Sequence, residues 1–479
     1  MIHFIKSIVL LFLFSAAIPA QSASDVENFF AQLKTHYQTT QSIQKFSMTH
    51  NYLYLGSNAS YSAWDYQAPN RYTAFKVTEF DLEKDYYYEN VIHHYAGGRK
   101  HNEVHFQNDT SSLRYAKNGA PYGKQIIKQD MSEFEGFKNL IVVNVDFFAV
   151  RPLLAEKNVA ATIKLYHDKN FGRTTLIHKA SDDKVVEYTF STSPLRLLSL
   201  NNKSLRRIYF YDDYQTTNNL TFARSIVQYA NGDMTPTFIK HIASLNVIKE
   251  IEATKLEIPH GYGPIFTKGN GNLVSTEIAD DLYLVTDSSE KNNSLFKVNG
   301  DDITVFGASG YPALAKDTIK LISQKFPEKK ITSVYVTHPH GYEIAGLNVY
   351  AEHGINILAD EYTIAAIKAY PKFTDSIATS KFYTIKHEQI IDGAQFYVLD
   401  NNHSKKQSFV HFKESEIIFQ SKFLHIAYDN TIAADIPNYT KTFVDFIRAK
   451  RLKFNRIVGN HQNNDISIEV LNKTYDAML

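Results

Sequence analysis

The sequence predicts an α+β chain in two parts: a β-rich domain built on a curved antiparallel sheet, then a domain in which strands and helices alternate. Three observations carry this. The stretch from about residue 24 to 260 is dense in Tyr, Phe and Thr, in short alternating runs such as "FSMTHNYLYLG", "VVEYTFSTSPLRLLSL" and "RIYFYDDYQ" between turn residues, the signature of antiparallel strands. Beyond Asn270 the texture changes to strand-like apolar runs separated by helical patterns. Between the two lies the glycine-rich "PHGYGPIFTKGNGN", which reads as a linker. The expected organisation is a leader over 1–23, the β-rich domain over 24–260, a linker over 261–275 and the second domain over 276–479. A length of 479 residues fits, at roughly 150 residues per domain.

The chain opens "MIHFIKSIVLLFLFSAAIPAQSASD". Lys6 precedes an apolar run, Ile8 to Phe14, and small residues follow to Ala20 or Ala23. This is the layout of a secretory signal peptide, with an apolar core too short to span a bilayer. No later segment reads as a transmembrane span, so the expected location is secreted or periplasmic. Cysteine is absent, which excludes disulfides and thiolate ligands; any metal must use imidazole, carboxylate or another oxygen donor. The balance of 51 basic against 50 acidic residues gives no electrostatic case for nucleic acid.

Along the β-rich part, a helical pattern over Asp25 to Tyr37 leads into the strands. In the second part "DLYLVTD", "SLFKVNG" and "DITVFGASG" read as strands, Ala313 to Phe326 as a helix, and "ITSVYVTHPH" as the next strand. A helix near "EIAGLNVYAEHG", the strand "INILAD", a helix over "EYTIAAIKAY" and the strands "QFYVLD", "SFVHF" and "EIIFQS" follow.

The chemistry gathers where "ITSVYVTHPH" ends. His338 and His340 alternate on extended chain, so both imidazoles point the same way and can approach one ion. Other histidines carry less. "HNEVH" (His101 to His105) has its glutamate misplaced for a zinc-protease helix and reads as sheet surface. His93 and His94 are neighbours on a strand and face apart. His353, His387 and His411 stand in no such pattern, while His425 follows Lys422 closely enough to line the same cleft. No phosphate-binding loop, dinucleotide fingerprint or nucleophile elbow occurs.

From about Asn270 to Leu479 the chain resembles the metallo-β-lactamase superfamily, whose motif T-H-x-H-x-D-H is followed by a small residue and glycine. "THPHGYEIAG" keeps Thr337, His338, His340 and Gly346, with Tyr342 for the aspartate and Glu343 for the third histidine. "FYVLDNNHSKKQSFVHFKESEIIFQSKFL" resembles the segment that supplies a further histidine and a bridging aspartate; His403 is present, and Lys422 replaces the aspartate. "RIVGNHQ" supplies His461, and Gly307 stands where the family has a supporting acid. The resemblance implies an αββα sandwich with a metal site at one sheet edge. It implies that His338, His340 and His403 hold one zinc, with His461 left from a second site that has lost its other ligands. A lysine ammonium repels a metal, so the expectation is one zinc or none.

The first part resembles periplasmic lipoprotein-carrier and sensor folds in "YSAWDYQAPNRY" (Tyr61 to Tyr72), in "VVEYTFSTSPLRLLSL" and in the closing segment from Ser225 to Tyr262. That likeness implies an apolar cleft for an acyl-bearing or other small-molecule ligand, or a cleft closed by the fold's own helix. Two functions follow as expectations. One is a mononuclear zinc hydrolase, in which Lys422 stands in for the second cation, Glu343 pairs with it, and Tyr342 and His461 are hydrogen-bonding neighbours. The other is a non-catalytic pseudoenzyme that binds a ligand or lipid.

Overall fold

The computed structural model describes residues 22–55, 71–266 apart from 231 and 234, 271–287, 292–370 apart from 309, and 373–479 apart from 374. The leader-like N-terminus and most of the Tyr61–Tyr72 stretch lie outside these. The chain packs as two compact units. One holds the described residues within Met1–Tyr52, Glu79–Glu83 and Ser132–Glu250, and the other holds those within Leu53–Thr78, Lys84–Met131 and Ile251–Leu479.

The first unit is a meander of antiparallel strands against helices. Ile163–Asp168, Arg173–Ser181, Lys184–Thr192, Leu195–Asn202, Arg207–Thr217, Leu220–Ala230 and Pro236–Val247 lie side by side in chain order. The expected first helix runs Ala23–Gln41 and starts with a reciprocal cap between Ser22 and Asp25. Its buried residues Val26, Phe29, Phe30, Leu33 and Tyr37 recur every three or four positions, so one stripe faces the sheet. Phe29 meets Phe190 edge-on at 6.0 Å, and Phe148 of a second helix lies 4.8 Å from Phe46. Each such ring contributes on the order of 1.5–3 kcal/mol by leaving water. The sheet face is therefore packed by its own helices. Asp146 sits beneath it, accepting the Ala223 N–H at 3.0 Å, and burial pushes its carboxyl up to about 6.

The second unit contains a four-layer αββα sandwich. A seven-stranded sheet runs in chain order through Leu273–Ala279, Leu282–Asp287, Asn293–Asn299, Asp302–Phe306, Lys330–Tyr335, Asn356–Ala359 and Phe382–Thr384. A five-stranded sheet holds Ile390–Ile391, Ala394–Leu399, Gln407–Phe412, Ile417–Gln420 and Arg456–Gly459. Leu284, Leu295, Phe306 and Tyr335 of the first pack against Phe396, Val410, Phe412 and Phe419 of the second in one core. The outer face of the first sheet is covered by Pro312–Lys325 and its neighbouring helices, that of the second by Asn438–Lys450 and Ile468–Asp476. Helices on both outsides bury both faces of the central strands; all six residues of Gln407–Phe412 are buried, the polar Gln407, Ser408 and His411 among them.

The same unit includes the antiparallel strands Tyr86–His94, Lys100–Gln107, Ser112–Ala116 and Ile126–Gln129. Backbone and side-chain bonds tie them to the sandwich: Ala434 N–H donates to Asn118 O at 2.8 Å, and Tyr262 OH donates to Ala116 O at 3.0 Å. The expectation that "HNEVH" lies on a sheet surface is corrected here. His101, Glu103 and His105 are buried on one face of Lys100–Gln107, because that face turns inward rather than to water.

Candidate functional site

The site forms where strands end at one edge of the two sheets. Lys330–Tyr335 delivers the loop carrying His338 and His340. That loop is anchored by Ser408, whose N–H and Oγ both donate to Thr337 O, at 2.8 and 3.1 Å. His403 sits in the turn before Gln407–Phe412, where Asn401 Oδ1 accepts the N–H groups of His403 at 2.7 Å and Ser404 at 3.1 Å. Lys422 follows Ile417–Gln420 in a turn pinned by Gln420 Oε1, which accepts from Phe423 N–H and Leu424 N–H. The turn holds Lys422 at φ 64, the left-handed region that costs a side-chain-bearing residue roughly 1–2 kcal/mol. His461 lies just past Arg456–Gly459.

The three histidines converge. His338 Nε2 and His403 Nε2 are 3.1 Å apart, and the ring centroid of His340 lies 6.0 Å from His338 and 5.9 Å from His403. His338 Nδ1 pairs with Thr337 Oγ1 at 2.9 Å, while Nδ1 of His340 and of His403 are buried without a hydrogen-bond partner among the described residues. Burial holds all three rings neutral. His338 falls to about 4, with Glu343 opposing and Lys422 adding to the fall. His340 and His403 lie well below the ordinary imidazole value, burial acting first and the His338 ring next.

Glu343 faces His461 and Ser421. His461 Nε2 donates to Glu343 Oε1 at 2.7 Å and Ser421 Oγ donates to the same oxygen at 2.9 Å. Burial alone would raise the Glu343 carboxyl; His461, with His338 and Lys422 behind it, overrides that and holds it well below the usual carboxylate range. The expected Glu343–Lys422 pair is thus corrected: the carboxylate is taken by His461 and Ser421, and Lys422 makes no ion pair among the described residues. Tyr342 is also placed differently from the expected hydrogen-bonding role. It is 66% exposed and touches the cluster only by its ring, 5.9 Å from that of His340. Gly307 has no acid's role either; a Cβ there would meet Asn460 Nδ2 at 2.6 Å.

Sequence reasoning missed Arg99. The tip of the hairpin formed by Tyr86–His94 and Lys100–Gln107 reaches the His403 turn so closely that a Cβ on Gly97 would lie 2.9 Å from Asn402 O and 3.2 Å from His403 Cα. From this tip Arg99 Nε donates to His101 Nε2 at 2.9 Å, and Nη1 lies 3.3 Å from His425 Nε2. His101 Nδ1 in turn faces Glu103 Oε1 at 3.4 Å, and Arg114 completes the row on Glu103. Burial and then Arg99 depress His425. Burial and then Arg99 also lower Lys422, to about 7, against the pull of Glu343. The available signal was the basic run after a double glycine in "AGGRKH". His353, His387 and His411 each bond a backbone carbonyl away from the cluster's own bonds.

Two of the three imidazoles approach the spacing that a zinc ion requires. Two imidazole nitrogens on a tetrahedral zinc, each about 2.0–2.1 Å from it, stand about 3.3 Å apart, close to the 3.1 Å between His338 and His403. Yet among the described residues no three His, Asp or Glu side chains are grouped to hold a metal. Arg99 and Lys422 also bring positive charge toward these rings, which opposes a cation there. The residues present do not fit a metal shell.

No family model and no curated protein matches the chain. Among solved structures it is similar to a metallo-β-lactamase from Hirschia baltica, at 14% identity and TM-score 0.36 over 43% of this chain and 97% of that one. It is similar to the metallo-β-lactamase FIM-1 from Pseudomonas aeruginosa in a mono-zinc form, at 15% identity and TM-score 0.36 over 43% and 94%. A metallo-β-lactamase from Erythrobacter litoralis, with β-mercaptoethanol in its active site, matches at 14% identity and TM-score 0.34 over 44% and 97%.

Proposed function

We propose that this chain is a ligand-binding protein on a metallo-β-lactamase-like scaffold, holding a small molecule at its histidine pocket without two-metal chemistry. The bond between His461 and Glu343 at 2.7 Å carries this reading. The His461 N–H and the Ser421 hydroxyl both sit on Oε1 of Glu343, and a second metal would have to displace both donors from this buried carboxylate. The pocket is favoured over an acyl-bearing ligand on the sheet, whose apolar face is packed by Phe29, Phe148 and their neighbours. The leader-like N-terminus adds export to the reading. No helix among the described residues is long and apolar enough to cross a membrane.

A second reading, a mononuclear zinc hydrolase using His338, His340 and His403, is favoured by the 3.1 Å approach of two Nε2 atoms. Elemental analysis of protein purified with zinc and then dialysed separates the two. The ligand-binding reading expects well under one zinc per chain and no change of melting temperature with a chelator. One zinc per chain, lost in His403→Ala, would establish the hydrolase reading in its place. Two zinc ions per chain would overturn both.

A further inference from the structure

Two neighbouring residues tie the hairpin tip to the sandwich by polar bonds. Arg99 Nη1 lies 3.3 Å from His425 Nε2, and Lys100 Nζ donates to Asp435 Oδ1 at 3.1 Å. Beside them Gly97 presses on the His403 turn, where a Cβ would come within 2.9 Å of Asn402 O. Arg99 is itself aimed from within the hairpin, since its Nε donates to His101 Nε2 at 2.9 Å. That bond needs a lone pair on Nε2, because a guanidinium only donates. His101 supplies it as a neutral ring whose Nδ1 faces Glu103 Oε1 at 3.4 Å. A narrow cleft lined in part by Arg99, His101, His425, Ile436 and Pro437 follows the same seam.

We infer that the hairpin tip is an acid-released latch: it holds the His403 turn while His101 is neutral and lets go when His101 takes a proton at Nε2. A protonated imidazole has two N–H donors and no acceptor, so the Arg99 Nε bond is lost and two cations are left side by side. The surrounding groups set the balance. Glu103, on the same strand, favours the proton, but Arg114 shares that carboxylate. His93 stands directly opposite on the paired strand, itself lowered by burial to about 4. The Tyr95 ring meets His101 edge-on at 5.2 Å. From the sandwich, Lys422 opposes the proton, His425 is neutral beside Arg99, and Asp435 is engaged by Lys100 and Asn118. Burial first, and then Arg99, push His101 down to about 4, with Glu103 pulling the other way. In a freed tip the ring returns toward its ordinary 6.5. The latched form is therefore fully favoured above about pH 6.5 and is lost as pH falls toward 4.

The latch works in the same way whether the pocket holds a metal or a small molecule, so its failure leaves the reading of the pocket untouched. Backbone hydrogen exchange of the full-length protein, corrected for its intrinsic pH dependence, is followed by mass spectrometry from about pH 7.5 to about pH 4. Peptides around Arg99 and around His403 should lose protection about tenfold or more as pH falls, while the strand Gln407–Phe412 stays protected. His101→Gln keeps an oxygen acceptor that takes no proton, and its protection should be flat over the same range. Arg99→Gln should show the released level at every pH. Imidazole C2-hydrogen exchange in the wild-type protein reports the midpoint of His101 itself, which should coincide with the loss of protection. Wild-type protection that does not change with pH overturns the inference, as does the same pH dependence in folded His101→Gln, or wild-type protection in Arg99→Gln. So does release at a pH where His101 is still neutral, a comparison that needs no variant to fold. Loss of protection in Gln407–Phe412 at the same pH would mean global unfolding and would overturn it too.

Discussion

Glu343 Oε1 receives both the His461 Nε2 proton, at 2.7 Å, and the Ser421 hydroxyl, at 2.9 Å. That one oxygen joins three loops which leave the sandwich from three different strand ends. Its loss is therefore a stability event before it is anything else. Glu343→Ala should cost about 2–3 kcal/mol, since it leaves the buried His461 and Ser421 donors unsatisfied. Glu343→Gln keeps an acceptor oxygen and should cost about 1–2 kcal/mol. The pH dependence follows from the depressed carboxyl: its contribution is present above the unfolded value of about 4.5 and is lost as pH falls toward the lower folded value. Urea unfolding should show the gap between wild type and Glu343→Gln narrowing below about pH 4.5. A gap independent of pH would mean that the carboxylate charge contributes nothing.

The hairpin tip offers a second test, because two adjacent glycines differ in one respect only. Gly97 and Gly98 have φ of +80 and +83, but a Cβ on Gly97 meets Asn402 O and His403 Cα, while one on Gly98 meets nothing within 4 Å. Gly98→Ala should cost roughly 1–2 kcal/mol, for left-handed backbone alone. Gly97→Ala should cost clearly more and should also shift the His403 imidazole resonances in NMR spectra. Equal costs with an undisturbed His403 would show that the tip is not held against that turn.

The layering of the sandwich was legible because its strands and helices alternate locally, and the periodicities of 2 and 3.6 are written in neighbouring residues. His338 and His340 were legible as an alternating pair at a strand end, whereas His403 was legible only through the family resemblance of its segment. Arg99 was not. It reaches His425 across 326 positions of chain, and nothing in "GGRKHNEVH" says which surface the hairpin will meet. Misreading His101 and Glu103 as sheet surface had the same cause: alternation shows that two faces differ but not which is covered. The choice of His461 rather than Lys422 as partner of Glu343 depended on loop paths of the kind that strand patterns leave open.

Asp146 allows a stability test within the first unit. Burial raises its folded pKa to about 6 from an ordinary value of 3.8. The folded chain therefore binds more protons than the unfolded one between about pH 4 and 6, and stability falls as pH rises through that window. The loss amounts to about 3 kcal/mol, at about 1.4 kcal/mol per pK unit. Asp146→Asn preserves an acceptor for the Ala223 N–H, 3.0 Å away in the parent. It should remove this slope and be more stable than wild type at pH 7.5. Parallel stability curves for the two proteins from pH 4 to 7.5 would show that the carboxyl stays ionised.

Lys422 combines two costs, and their removal distinguishes a working residue from a space-filler. Its backbone sits at φ 64, and its ammonium is disfavoured by burial and by Arg99. Lys422→Gly relieves the left-handed strain, by about 1 kcal/mol once the added freedom of the unfolded glycine is set against it, and it removes a repelled charge. A lysine that merely filled the vacated pocket would behave in the opposite way, because deleting a packed aliphatic stem leaves a void and typically costs 2 kcal/mol or more, to order of magnitude. Chemical denaturation of Lys422→Gly should therefore show a chain at least as stable as wild type. A chain as stable as wild type would mark Lys422 as a residue held at a conformational cost, whereas a large loss of stability would return it to the role of packing.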